Sequence, residues 1–280
     1  MVSESIHVIL VFGLLGLITN SIAWKKGFYE WYPCTVPRIA FINVACVFGI
    51  YLSATYLLAN YFGMLLLRYA SSNPTLEFVV YLQFFLVMSM VLALFLYCLL
   101  AAKETFAKIW KYPIPQHRTS PLFDFSLGVV AWFIAFPVVQ VVGQIFDLAL
   151  YFIFNLGTYE QAAVRYLKTT LQSPSLTMLA LISIVVIAPV VEEFLFRGAL
   201  QTYLKQRFQR KTAIVITSIC FALFHFSVEQ GYGNFSLIPS LFVFACFLGY
   251  IYERQGSLYA SIGLHMAFNF VSSTRILLSE

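Results

Sequence analysis

Eight stretches of this chain contain no Asp, Glu, Lys or Arg: Ile6–Trp24, Ile39–Leu67, Phe78–Ala102, Phe125–Phe146, Thr169–Val191, Thr212–Val228, Gln230–Tyr252 and Gln255–Thr274. Most approach or exceed the roughly 20 residues a helix needs to cross the hydrocarbon of a bilayer. Lipid accepts only structures that satisfy every backbone polar group internally. The expected fold is therefore an all-α polytopic membrane protein of about eight transmembrane helices. Composition agrees: 61% of residues are hydrophobic, 10% are charged, and the mean hydropathy is +0.84. A soluble domain carries about 25% charged residues, so a soluble enzyme, a nucleic-acid module and a disordered chain are excluded as readings of the whole. Ile6–Trp24 lacks the basic leader of a signal peptide, with only Glu4 charged before it, and is expected to remain as a helix.

The net charge of +5 reflects topology rather than a nucleic-acid surface. One set of alternating loops holds Lys25, Lys26, Arg38, Lys103, Lys108, Lys111, Arg118, Lys205, Arg207, Arg210, Lys211 and Arg254; the other holds Arg68, Arg165, Lys168 and Arg275. Basic residues favour the cytoplasmic side, which predicts that both termini lie on the other side, most simply of the cell (inner) membrane. The five cysteines, Cys34, Cys46, Cys98, Cys220 and Cys246, show no paired spacing and read as small apolar residues.

Ionisable groups within spans are expensive and mark functional sites by default. Asp124 and Asp147 lie near opposite ends of the fourth stretch and are expected to be solvated at the interface; Glu253 falls at a span end. Glu192 and Glu193 differ, because apolar residues precede and follow them. Pro189 removes a helix donor and frees a carbonyl; a helix restarting there would place both glutamates near its positive end. Glu193 and Arg197 stand four residues apart and can pair, which leaves Glu192 without a local cation. Two histidines occupy other stretches: His225, one turn after Phe221, and His265, one turn before Asn269. Counted at about 1.5 Å per residue from the nearest basic loops, Glu192, His225 and His265 reach a similar depth.

Glu192-Glu193-x-x-x-Arg197, Phe221-x-x-x-His225 and His265-x-x-x-Asn269, in this order and in separate stretches, resemble the three motifs of the CPBP family of CAAX proteases and bacteriocin-processing enzymes. The similarity covers roughly residues 175–275 and divides the chain into an N-terminal four-helix region, 1–168, and a catalytic core, 169–280. It implies an intramembrane endopeptidase with a cavity open to the cytosol, acting on a peptide or membrane protein, with or without an attached lipid. Peptide hydrolysis needs an activated water and a stabilised oxyanion. Glu192 would serve as general base, His225 would orient the water, and His265 with Asn269 would offer donors to the oxyanion. Glu193, Arg197 and Phe221 would hold these groups in place.

No cofactor is expected. The alternative is zinc on Glu192, Glu193, His225 and His265, a metalloendopeptidase, although no H-E-x-x-H motif is present. Two other classes remain open at this level: a non-catalytic bacteriocin-immunity or membrane partner protein, and a transporter that relays protons or cations through the buried carboxylates.

Overall fold

The computed structural model describes residues 2–32, 37–58, 60–61, 63–64, 75–101, 103–112, 114, 119–155 and 161–279. Cys34, Arg68, Arg118 and the end of the second apolar stretch lie outside the described residues. The order of elements is α1 (Val2–Lys25), α2 (Phe41–Leu52, continued by wider turns over Ser53–Leu58), α3 (Leu76–Leu100), α4 (Lys103–Trp110), α5 (Pro121–Phe154), α6 (Ala162–Thr170), α7 (Pro174–Leu204), α8 (Arg210–Phe224), α9 (Asn234–Gln255, led in by a 3₁₀ segment over Val228–Gly233) and α10 (Leu258–Ser279). Among the described residues there is no β-strand, only an isolated bridge between Lys111 and Ser257.

Among the described residues five helices are long and apolar enough to cross a membrane: α1, α3, α5, α7 and the segment Val228–Gln255. The chain is a multi-pass, all-α membrane protein. The expectation of eight spans is met only in part. Among the described residues the second stretch yields an apolar helix over Phe41–Leu57. The sixth yields α8, whose 15 residues rise only about 22 Å. The eighth yields α10, of sufficient length but diluted by Ser261, His265, Asn269, Ser272, Ser273 and Thr274.

Helix association in lipid gains little from apolar burial and depends on close packing of small residues. α5 is the central post, against which α1, α9 and α10 pack. At its crossing with α10, a Cβ on Gly128 would collide with the Ala260 carbonyl, and one on Gly263 with the Phe125 carbonyl. Backbone meets backbone there, and only glycine fits. Gly263 lies two residues before His265, so this contact also sets where that imidazole stands. We expect Gly263→Val to lower stability by about 1–3 kcal/mol or more, the usual cost of overpacking. Thermal unfolding in detergent checks this against Gly13→Val, whose Cβ would meet nothing within 4 Å. Equal melting of the two variants would contradict the assignment.

Candidate active site

α7 carries both glutamates. It runs unbroken from Pro174 to Leu204 but opens into π-turns over Ile182–Ile187 and Phe194–Gln201. The expected restart at Pro189 therefore does not occur, and neither glutamate sits at a helix N-terminus. The wider turn accommodates the proline instead. The Ala188 N–H reaches five residues back, to the Ser183 carbonyl. Continued by one residue, that register would assign the Ile184 carbonyl to the N–H of residue 189, which proline lacks. The Asn269 amide of α10 takes this carbonyl, with Nδ2 donating to Ile184 O at 2.9 Å.

Glu193 is fully buried, and its Oε1 accepts from Arg197 Nη1 at 2.8 Å and from His265 Nδ1 at 2.9 Å. Arg197 Nη2 donates to the Ala245 carbonyl of α9 at 3.1 Å, and its guanidinium lies 4.5 Å over the Phe221 ring. Phe221 also packs on His225, with ring centroids 4.7 Å apart, and edge-on to His265 at 5.9 Å. His225 caps α8 at φ −91°, ψ 2°, and its Nδ1 donates to the Phe221 carbonyl at 2.8 Å. Glu192 stands between the two imidazoles. Its Oε2 lies 3.7 Å from His225 Nε2 and 3.9 Å from His265 Nε2. Both separations exceed a direct hydrogen bond and are of the kind a bridging water spans.

The hydrogen bonds fix the tautomers. A backbone carbonyl and an ionised carboxylate can only accept, so both Nδ1 atoms carry protons. In the neutral rings each Nε2 then presents a lone pair. Glu192 Oε2, which makes no hydrogen bond, and the two Nε2 atoms thus face one another as three acceptors. Such a constellation suits removal of protons from a water held between them. Either imidazole becomes a donor there only by taking up a second proton.

The residues singled out in the sequence are brought together: Glu192, Glu193 and Arg197 from α7, Phe221 and His225 from α8, and His265 from α10. Asn269 lies on the same helix as His265, with one amide N–H already committed to Ile184. Other expectations need correction. Asp124 is not solvated but fully buried, held by Lys111 at 2.5 Å and by Thr119. Glu253 is likewise fully buried and pairs with Lys205 at 2.6 Å, so Lys205 is an internal residue rather than a free loop cation. Arg254 is also buried, its guanidinium over the Phe28 and Tyr32 rings. The carboxylates are drawn inward because each has a cation placed to meet it.

Gln201 escaped the sequence reading. It lies fully buried one turn beyond Arg197, with Nε2 donating to the Gly249 carbonyl at 3.0 Å and to Glu253 Oε1 at 2.9 Å. A side chain at 249 would strike it, since a Cβ there would fall 2.7 Å from Gln201 Oε1. Glu193, Arg197, Gln201 and Lys205 recur every fourth residue, a signal that was available in the sequence. In an α-helix this spacing drifts by about 40° per step, and the wider turns over Phe194–Gln201 oppose the drift. A polar column thus runs from the site along the α7–α9 seam to the Lys205–Glu253 pair.

Among the described residues no three His, Cys, Asp or Glu side chains are grouped so as to hold a metal ion. Residues 174–271 match the family model of the type II CAAX prenyl endopeptidases, Rce1-like. The matched region begins at the first residue of α7 and ends within α10, enclosing every side chain of the site. It is consistent with the CPBP family and suggests an intramembrane CAAX-type protease, a hydrolase of peptide bonds acting on peptide or protein substrates. No curated protein and no solved structure matches the chain.

Proposed function

We propose that the chain is an intramembrane endopeptidase in which Glu192 activates a water for attack on a peptide bond. The convergence of Glu192, His225 and His265 carries this reading. The water's oxygen adds to the scissile carbonyl carbon while Glu192 takes its proton. That proton then passes to the departing amine as the C–N bond breaks, so nothing but water is consumed. His225, with Nδ1–H donated to Phe221 O, turns its Nε2 lone pair toward the water. His265, held by Glu193, does the same from the other side, and once protonated it becomes a donor to the negative oxygen. Asn269 has a second amide N–H to offer. Arg197 and Phe221 fix Glu193 and the two rings.

In this reading residues 169–280 form the catalytic core and residues 1–168 the surrounding membrane region. The cavity faces the side on which basic loops concentrate, the cytoplasm, with both termini opposite. The substrate is a peptide or membrane protein, and the family's name suggests a prenylated one.

Comparative peptidomics of membranes containing wild-type protein, Glu192→Ala or His225→Ala tests the proposal. The expected result is a product present with wild-type protein and absent with both variants, at equal membrane abundance. Cleavage is expected to survive a strong zinc chelator, since Asn269, which completes the set, is a poor zinc ligand and a good hydrogen-bond donor. Undiminished product with Glu192→Ala would overturn the mechanism. Loss of cleavage on chelation, restored by zinc, would assign these residues to a metal instead.

A further inference from the structure

Hydrolysis by this site needs more donors than its motif residues supply. The tetrahedral intermediate carries a negative oxygen, which N–H or O–H groups must meet. Both imidazole Nδ1–H groups are committed, to Phe221 O and Glu193, and the neutral Nε2 atoms only accept. Arg197 is turned away, toward Glu193 and Ala245. Asn269 has spent one of its two N–H groups on Ile184. Apart from the N–H groups of that turned-away guanidinium, a neutral site therefore retains a single uncommitted N–H among these residues, on Asn269.

α2 supplies another donor. It packs against the Phe194–Gln201 stretch of α7. Phe48 meets Phe196 and Phe224 at ring separations of 5.4 and 6.5 Å, and one turn on Tyr51 meets Phe224 at 5.3 Å. Phe224 is the residue immediately before His225, so this contact seats the Tyr51 ring beside the histidine's turn. The side chain is partly buried, and among the described residues its hydroxyl has no hydrogen-bond partner. A phenolic O–H seated by the turn that carries His225, with no hydrogen bond of its own among the described residues, is what the oxyanion lacks.

We propose that Tyr51 is a further catalytic residue, its O–H donating a hydrogen bond to the oxyanion formed from the scissile carbonyl. No proton is transferred; the phenol stays neutral, and the bond shortens as charge develops on the carbonyl oxygen. The inference rests on the endopeptidase reading above. It also explains why α2, which lies outside the matched region, is packed so closely against the site.

Tyr51→Phe keeps the ring on Phe224 and deletes only the hydroxyl. Cleavage of a synthetic peptide spanning the site found by peptidomics is compared for wild type, Tyr51→Phe and Glu192→Gln, with thermal unfolding measured alongside. The expected result is a fall in kcat of about 10²-fold for Tyr51→Phe, with KM within about 2-fold and the unfolding temperature unchanged. A packing role would instead leave kcat intact in the phenylalanine variant. Wild-type kcat in Tyr51→Phe together with an inactive Glu192→Gln overturns the role of Tyr51 and spares the endopeptidase. Wild-type activity in Glu192→Gln overturns the endopeptidase reading, and Tyr51's role with it.

Discussion

Glu192→Gln is expected to slow peptide cleavage by about 10²–10⁴-fold, the usual contribution of a general base, and to leave the fold as stable as the wild type or more so. The glutamine matches glutamate in shape and leaves the Glu193–Arg197–His265 bonds untouched. It also replaces a charge that the protein holds without a hydrogen bond: Glu192 Oε2 is buried and unpartnered. A protein that tolerates such a group gains stability when the group is neutralised and loses the activity the group served. Cleavage rate and thermal unfolding of the purified protein in detergent report the two effects separately. A variant that cleaves at the wild-type rate, or that melts early while remaining active, would show that the carboxylate is structural.

Arg197→Met should behave in the opposite way, costing about 3–5 kcal/mol of stability because it strands the fully buried Glu193 charge. Ordinary hydrogen bonds between membrane helices are worth far less, on average about 0.6 kcal/mol, so the magnitude distinguishes a stranded ion from a lost contact. The double variant Glu193→Gln/Arg197→Met removes both charges and is expected to recover most of the stability. It should not recover cleavage, because His265 Nδ1 then loses the carboxylate that orients its ring. Unfolding of the two single variants and the double variant closes a thermodynamic cycle. A cost under about 1 kcal/mol for Arg197→Met, against the 3–5 expected of a stranded charge, would mean that the pair contributes little to holding α7 against its neighbours.

The membrane class was legible because it follows from composition and from long charge-free runs. The convergence of Glu192, His225 and His265 was legible because helical rise converts sequence distance into depth. What stayed hidden depends on the register between helices. Nothing in the sequence tells Arg197 that its outer nitrogen meets the Ala245 carbonyl, or Gln201 that Gly249 leaves room for it. Asp124 and Glu253 were misplaced for the same reason: a carboxylate at a span end looks solvated until the partner that draws it inward, Lys111 or Lys205, is known. The number of spans is met only in part where local polarity or short length sets a helix apart from a lipid-facing one, as in α8 and α10. Tyr51 lies outside every motif, and only the packing of α2 on Phe224 brings it to notice.

The proline in α7 reaches across the bundle. Because residue 189 cannot donate, α7 holds out one carbonyl, Ile184, and α10 is fastened to it through Asn269, one turn from His265. An alanine at 189 would make α7 a more regular rod, self-sufficient along its length, with nothing at that level for its neighbour to grip. Glu192 and His265 would then be tied through the Glu193–His265 bond but without this second fastening between their helices. The irregularity in one element is thus the fastening of another, and a smoother helix would make a looser site.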